Sequence, residues 1–196
     1  PGEKLRYGAY YNWHLIWIRS GEVNFNFSSV KTAGTERWKV QADGHTFKTY
    51  DLLYKIRDTL QTECQPGTFE PIQARQTMNH GGSRADYRYR LAPATKKIFS
   101  EVKRFDQPFF RDTLELAPGI RDMLATAYWF RTIDFSKLET GRKIPFTMLV
   151  DNEVHHIYYR YLGKETIKNR NNQSFNCHKF SILLLQGDFF PAGEYL

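Results

Sequence analysis

The sequence predicts an all-β fold with two short helices, a curled antiparallel sheet of the partial β-barrel or β-roll kind, and a single β-rich domain over residues 1–196. Three observations predict it. Apolar and polar residues alternate with period two along most of the chain, the repeat of a half-buried strand. Aromatic residues fill 16% of the positions, as 15 Phe, 12 Tyr and 4 Trp, and such side chains favour pleated surfaces. Left-handed-tolerant dipeptides interrupt the alternation where hairpins would turn. A hydrophobic share of 41% supplies a core and argues against disorder. The length suits one domain.

The opening stretch, GEKLRYGAYYNWHLIWIRSGEVNFNF, holds two Trp, three Tyr and two Phe between Gly2 and Phe27. Tyr7, Tyr11, Trp13, Leu15 and Trp17 share one parity; Tyr10, Ile16 and Ile18 share the other. A strand apolar on both faces is covered on both. In EVNFNFS, Val23, Phe25 and Phe27 face one way. In RWKVQA, Trp38, Val40 and Ala42 oppose Arg37, Lys39 and Gln41. Asp43-Gly44 reads as a hairpin turn that sends HTFKT back. TYDLLYKIRD then places Leu52, Leu53 and Ile56 at helical spacing, the first helix.

Gly81-Gly82 reads as the turn between PIQARQTM and RADYRYRL. On the second of these strands Arg84, Asp86, Arg88 and Arg90 share a solvated face, and Tyr87, Tyr89 and Leu91 the other. PGIRDMLATAYWFR predicts the second helix, with Ile120, Met123, Leu124, Ala127 and Tyr128 on one stripe and Pro118 near its start. The helices are expected to plug the concave side of the sheet. KIPFTMLV turns at Asp151-Asn152 into EVHHIYYRYL, and SFNCHKFSILLLQG reads as one long strand.

A net charge of +7, spread along the length, attracts anionic surfaces such as lipid headgroups or nucleic acid. No nucleic-acid motif accompanies it, and nucleic acid is set aside as a partner. No stretch is apolar and long enough to span a membrane. The sequence starts at Pro1, and a removed leader is the expectation. Cys64 and Cys177 fit neither a disulfide framework nor a zinc site, which leaves a single bridge open. Neighbours on a strand point to opposite faces, so His155 and His156 cannot hold one ion. Neither a nucleophile elbow nor a phosphate loop occurs, and no cofactor is read. Asp151 and Glu153 are the carboxylates a sugar hydrolase would use, although a hairpin turn also favours Asp there.

Gly2, Glu3, Leu5 and Tyr7, followed by an aromatic strand and the Gly21-Glu22 turn, resemble the start of the domain of unknown function 3108 family of exported Gram-negative proteins. YDLLYKIRDTLQTECQPGTFEP resembles that family's helix, strand and Pro turn. Cys177, Lys179, Phe180, Gly187 and Phe190 resemble its Cys-x-Lys-Phe strand and Gly-x-x-Phe ending. One departure is that family members continue into a Trp-rich hairpin, whereas this sequence stops at Leu196. The resemblance implies a curled all-β sheet and a periplasmic or envelope location, and no catalytic residues. Two Asp-Thr-Leu stretches, 58–60 and 112–114, resemble an O-glycosylation acceptor of Bacteroides-type exported proteins.

The expectation is a non-enzymatic envelope protein that takes an amphiphilic lipid or lipid-linked glycan in an aromatic trough. Tyr11, Trp13, Trp17 and Phe25 would form the wall, joined by Trp38 where it faces inward. Arg37 and Lys39 would form a basic rim. Two alternatives stay open: an interaction protein that docks an envelope partner, and a glycan hydrolase acting through Asp151 and Glu153.

Overall fold

The computed structural model of the chain describes residues 1–13, 16–32, 34–169, 171–184 and 193–195. Its first sheet is built from β1 (Glu3–Trp13), β2 (Ile16–Thr32), β3 (Thr35–Thr46) and β4 (Arg57–Cys64), followed by β5 (Pro71–His80), β6 (Ser83–Ala92), β7 (Lys97–Arg104) and β8 (Gln107–Glu115). These eight strands lie side by side in chain order, each antiparallel to the next. In such a meander the connections alternate between two ends. The upper end carries β1–β2, β3–β4, β5–β6 and β7–β8. The lower end carries β2–β3, β4–β5 and β6–β7.

The rest of the chain adds β9 (Arg121–Asp122), α1 (Met123–Phe130), β10 (Lys143–Val150), β11 (Glu153–Lys168), β12 (Ser174–Leu184) and β13 (Gly193–Tyr195). Here the sheet order is β13-β12-β11-β10-β9, and the sheet curls strongly into a half-barrel. Its pairings are antiparallel except for the two-residue parallel contact of β9 with β10. The all-β prediction holds, with 68% of residues in strands.

The helix joins the two sheets. Asp122 caps it by accepting hydrogen bonds from the Leu124 and Ala125 amides at 2.9 and 3.0 Å, and it also accepts one from Thr62 Oγ1 at 2.9 Å. A cap of this kind stabilises by about 1 kcal/mol. Leu124 and Tyr128 pack on Val40, Ala42 and Phe69 of the first sheet's side. Phe130 packs on Tyr159 of β11 and Phe180 of β12, with centroids 4.9 and 4.8 Å apart. A third cluster, Met78, Tyr87, Leu91, Ile98 and Val102 with Ile120 and Leu149, fills the space below β5 to β7.

Three local expectations are corrected. Among the described residues one α-helix forms rather than two, because residues 48–53 make hydrogen-bonded turns, with the Tyr50 amide donating to Phe47 and the Leu53 amide to Tyr50. Leu52 and Leu53 find nothing to pack against there, while Asp51 binds Arg57 at 2.6 Å and the Thr46 hydroxyl at 2.7 Å, which fixes the loop instead. In α1 the predicted stripe is incomplete: Ala127 is exposed while Ala125 and Thr126 are buried, since the helix is covered by both sheets. Asp43-Gly44 is not a turn. β3 runs on to Thr46, with Gly44 opposite both Val23 and Asp58. Pairing on two sides outweighs the local turn preference.

Candidate functional site

The inner face of the first sheet carries the rings that the sequence assigns to a trough. Phe25 meets Tyr7 edge-on at 5.9 Å. Trp38 meets Phe27 at 5.3 Å and Phe69 at 5.0 Å, and Phe27 meets Tyr128 of α1 at 5.4 Å. The helix packs on this part of the face, and Phe25 and Trp38 are partly buried against the cluster it forms with Val40, Ala42 and Phe69. Tyr11 and Trp17 do not join them. Both are exposed on the β1–β2 hairpin, beyond the part of the sheet that the helix covers. The side chain of Trp13 lies outside the described residues.

The outer face of the same sheet is charged and hollow. Residues in register across antiparallel strands project from the same face, and the register generates two rows across six strands. One row runs Lys39, Glu63, Gln73, Arg90, Phe99, Thr113; the other runs Gln41, Gln61, Arg75, Arg88, Glu101, Arg111. At about 4.8 Å per strand the rows extend for about 24 Å. All but Gln41 line a concavity of about 760 Å³, whose outer-face walls carry five basic side chains and the acids Glu63 and Glu101.

The three arginines of the second row are all paired with carboxylates, Asp86 beside the row and Glu101 within it. Gln61 donates to Gln41 at 3.1 Å, Arg75 binds Asp86 at 2.6 Å, and Arg111 donates to Glu101 at 3.1 Å. Partial burial raises the Asp86 carboxyl, but the hydrogen bonds from Arg75 and Arg88 outweigh it and hold Asp86 below the ordinary carboxylate range. The first row keeps free charge. The Arg90 guanidinium lies over the Phe99 ring at 4.7 Å, and neither Arg90 nor Lys39 has a carboxylate partner among the described residues. Arg37, predicted for the rim with Lys39, sits on the same face and binds Glu63 at 3.3 Å. A second hollow, of about 480 Å³, lies on β11 and β12 between Ile167, Cys177, Phe180 and Ile182.

The carboxylates considered for sugar hydrolysis flank a structural turn. Asp151 and Asn152 hold positive φ angles of 51° and 67° between β10 and β11. The Asn152 amide donates to Tyr89 Oη at 3.0 Å, and its side chain donates to Asp112 at 3.0 Å. These bonds pin the hairpin of the second sheet onto the first. Glu153 stands largely in solvent, 3.8 Å from His155. His155 is half-buried while His156 is exposed and pairs with Thr147, as opposite faces require. Cys64 and Cys177 are unbridged and belong to different sheets. Burial, with a contribution from the Asp122 carboxylate, pushes the Cys64 thiol up to about 12. That thiol is inert as a nucleophile near neutral pH. Among the described residues no group of three or more His, Cys, Asp or Glu could hold a metal ion, and no helix is long and apolar enough to cross a membrane.

The basic row was half legible. Alternation in RADYRYR puts Arg88 and Arg90 on the outer face, as found. That β3, β4, β7 and β8 bring Lys39, Glu63, Phe99 and Arg111 alongside depends on long-range register, which no local pattern encodes.

A family model described as "Protein of unknown function (DUF3108)" matches residues 6–194. No curated protein and no solved structure matches the chain.

Proposed function

The chain belongs to the DUF3108 family, and from that premise we propose that it is a non-enzymatic envelope protein, exported to the periplasmic side, that binds an extended anionic ligand on the outer face of its first sheet. The ligand is an acidic or phosphorylated glycan, either free or as the headgroup of a lipid. The observation that carries this reading is the row from Lys39 to Thr113, where two cations without carboxylate partners and a ring line one hollow. Arginine suits the task because its planar fork meets phosphate or carboxylate in a bidentate fashion. The glutamines and Thr113 add neutral donors and acceptors of the kind sugar hydroxyls need.

The test is calorimetric titration with soluble phosphorylated oligosaccharides and their neutral counterparts. The phosphorylated forms are expected to bind, more weakly as salt rises. Arg90→Glu and Lys39→Glu are each expected to weaken binding about tenfold or more. Equal binding of neutral and charged sugars, or indifference to both substitutions, contradicts the proposal.

A further inference from the structure

The upper end of the first sheet ends in apolar side chains at three of its four connections. The β1–β2 hairpin presents Tyr11 and Trp17, the β3–β4 loop presents Leu52, Leu53 and Tyr54, and the β7–β8 turn presents Phe105. Leu52 is 93% exposed, Leu53 84% and Phe105 76%. These are among the most exposed large apolar residues of the described chain, and the meander places them all at one end.

Basic residues adjoin them in the chain. Lys48 and Lys55 flank the leucines within their loop. Arg84 and Lys103 flank Phe105, whose amide donates to the Arg84 carbonyl at 2.8 Å. None of the four has an ion-pair partner among the described residues. The acids of the same turns are largely engaged: Asp51 binds Arg57, and Asp58 binds His80 at 2.8 Å. Asp106 is the exposed exception.

We propose that this end docks peripherally on a bilayer containing anionic lipid, with the loop tips in the interfacial layer and the four cations against the headgroups. Two physical features select a membrane. Trp, Tyr, Leu and Phe backed by Lys and Arg match the layered chemistry of a bilayer surface, apolar below and anionic above. The tips also follow a sheet edge of seven inter-strand steps, about 34 Å along the strands' stacking direction. A fluid, deformable surface can adapt to tips spread along such an edge. The inference goes beyond the glycan-binding reading and uses a different part of the molecule.

The experiment is co-sedimentation of the full chain with phosphatidylcholine vesicles, with and without phosphatidylglycerol. Binding is expected to require phosphatidylglycerol and to fall as salt rises. Leu52→Ser with Leu53→Ser is expected to lower partitioning about tenfold or more, and Lys48→Glu with Lys55→Glu to abolish the preference for the anionic lipid. Because these side chains are exposed, thermal melts are expected to stay unchanged, which separates lost docking from lost folding. Arg90→Glu is expected to keep vesicle binding while losing the soluble oligosaccharide. The proposal is overturned by absence of binding to phosphatidylglycerol vesicles, or by binding insensitive to the loop substitutions. It is equally overturned by binding lost with Arg90→Glu alone, or by a vesicle-free dimer that the leucine substitutions dissolve.

Discussion

The two ends of the eight-stranded sheet treat large apolar turn residues in opposite ways. At the lower end, Phe69 in the β4–β5 turn folds under the strands until only 4% exposed, packed on Trp38 and Tyr128. It does so from a left-handed backbone, φ 55°, a conformation that costs a side-chain-bearing residue about 1–2 kcal/mol. Its neighbours Gln65 and Thr68 are exposed and polar, as are Thr35, Glu36 and Lys96 of the other lower turns. At the upper end no comparable strain is spent on hiding Leu52, Leu53 or Phe105. There the left-handed positions fall on Gly81 and Gly82, φ 56° and 104°, which accept them at little cost. The fold buries a ring fully in a lower turn, whereas in the upper β3–β4 loop Phe47 and Tyr50 are only half-buried and Leu52 and Leu53 stay open.

The strongest way to break this contrast is to measure what each end contributes to stability. Phe69→Ala is expected to cost about 3–4 kcal/mol in urea unfolding, because it removes a ring from a packed cluster and leaves a cavity. Leu52→Ser and Phe105→Ser are expected to stay within about 0.5 kcal/mol of the parent. A large loss from either of the latter would mean that the upper tips are structural.

A smaller effect is expected at Gly21, where the upper loop is anchored. A Cβ there would collide with the His45 carbonyl oxygen, next to the bond from the Phe47 amide to Ser20. Gly21→Ala is expected to cost about 2 kcal/mol and to speed hydrogen exchange in residues 47–56. Gly82→Ala, in open space but at positive φ, is expected to cost about 1 kcal/mol. Asp122→Ala removes the cap of α1 and strands Thr62, with a loss of about 1–2 kcal/mol by thermal melt. Asp122→Asn keeps an acceptor for both and is expected to melt at or above the parent at neutral pH.

The smallest effect is a matter of pH. Burial raises the Asp122 carboxyl above the ordinary value, against the opposing bonds from Ala125 and Thr62. The folded state therefore holds that proton more tightly, so the contribution of Asp122 is full in acid and is lost as pH rises through its folded pKa. Asp51 runs the other way. Hydrogen bonds from Thr46 and Arg57 lower its carboxyl, so its contribution is present above the ordinary carboxylate range and is lost as pH falls through its folded pKa. Asp51→Asn is expected to flatten the acid limb of the stability curve, and Asp122→Asn the limb above it. Identical curves for both variants would refute the opposed signs.

Much of the fold was legible because period two survives any register. Val40, Ala42, Tyr87 and Tyr89 are buried where alternation placed them, and the turns at Gly81-Gly82 and Asp151-Asn152 form with the expected left-handed angles. Local signals failed where pairing overruled them. Gly44 has a turn's local preference but is held between β2 and β4, and of the helically spaced Leu52, Leu53 and Ile56 the two leucines have no surface to cover while Ile56 pairs with His80. Phe25 and Trp38 are partly buried against the cluster that includes Leu124 and Tyr128 of α1, while Tyr11 and Trp17 of the same predicted wall stand exposed; which rings the helix meets depends on tertiary packing that no window of residues encodes. The basic rows and the upper tips depend on which strands become neighbours and which turns share an end, properties of topology rather than of any window of residues.

Site-resolved hydrogen exchange with phosphatidylglycerol vesicles tests the asymmetry most directly. Exchange is expected to slow in residues 47–56 and 103–109 while residues 65–70 and 93–97 keep their free rates. Protection at the lower turns, or none at the upper ones, would contradict the account.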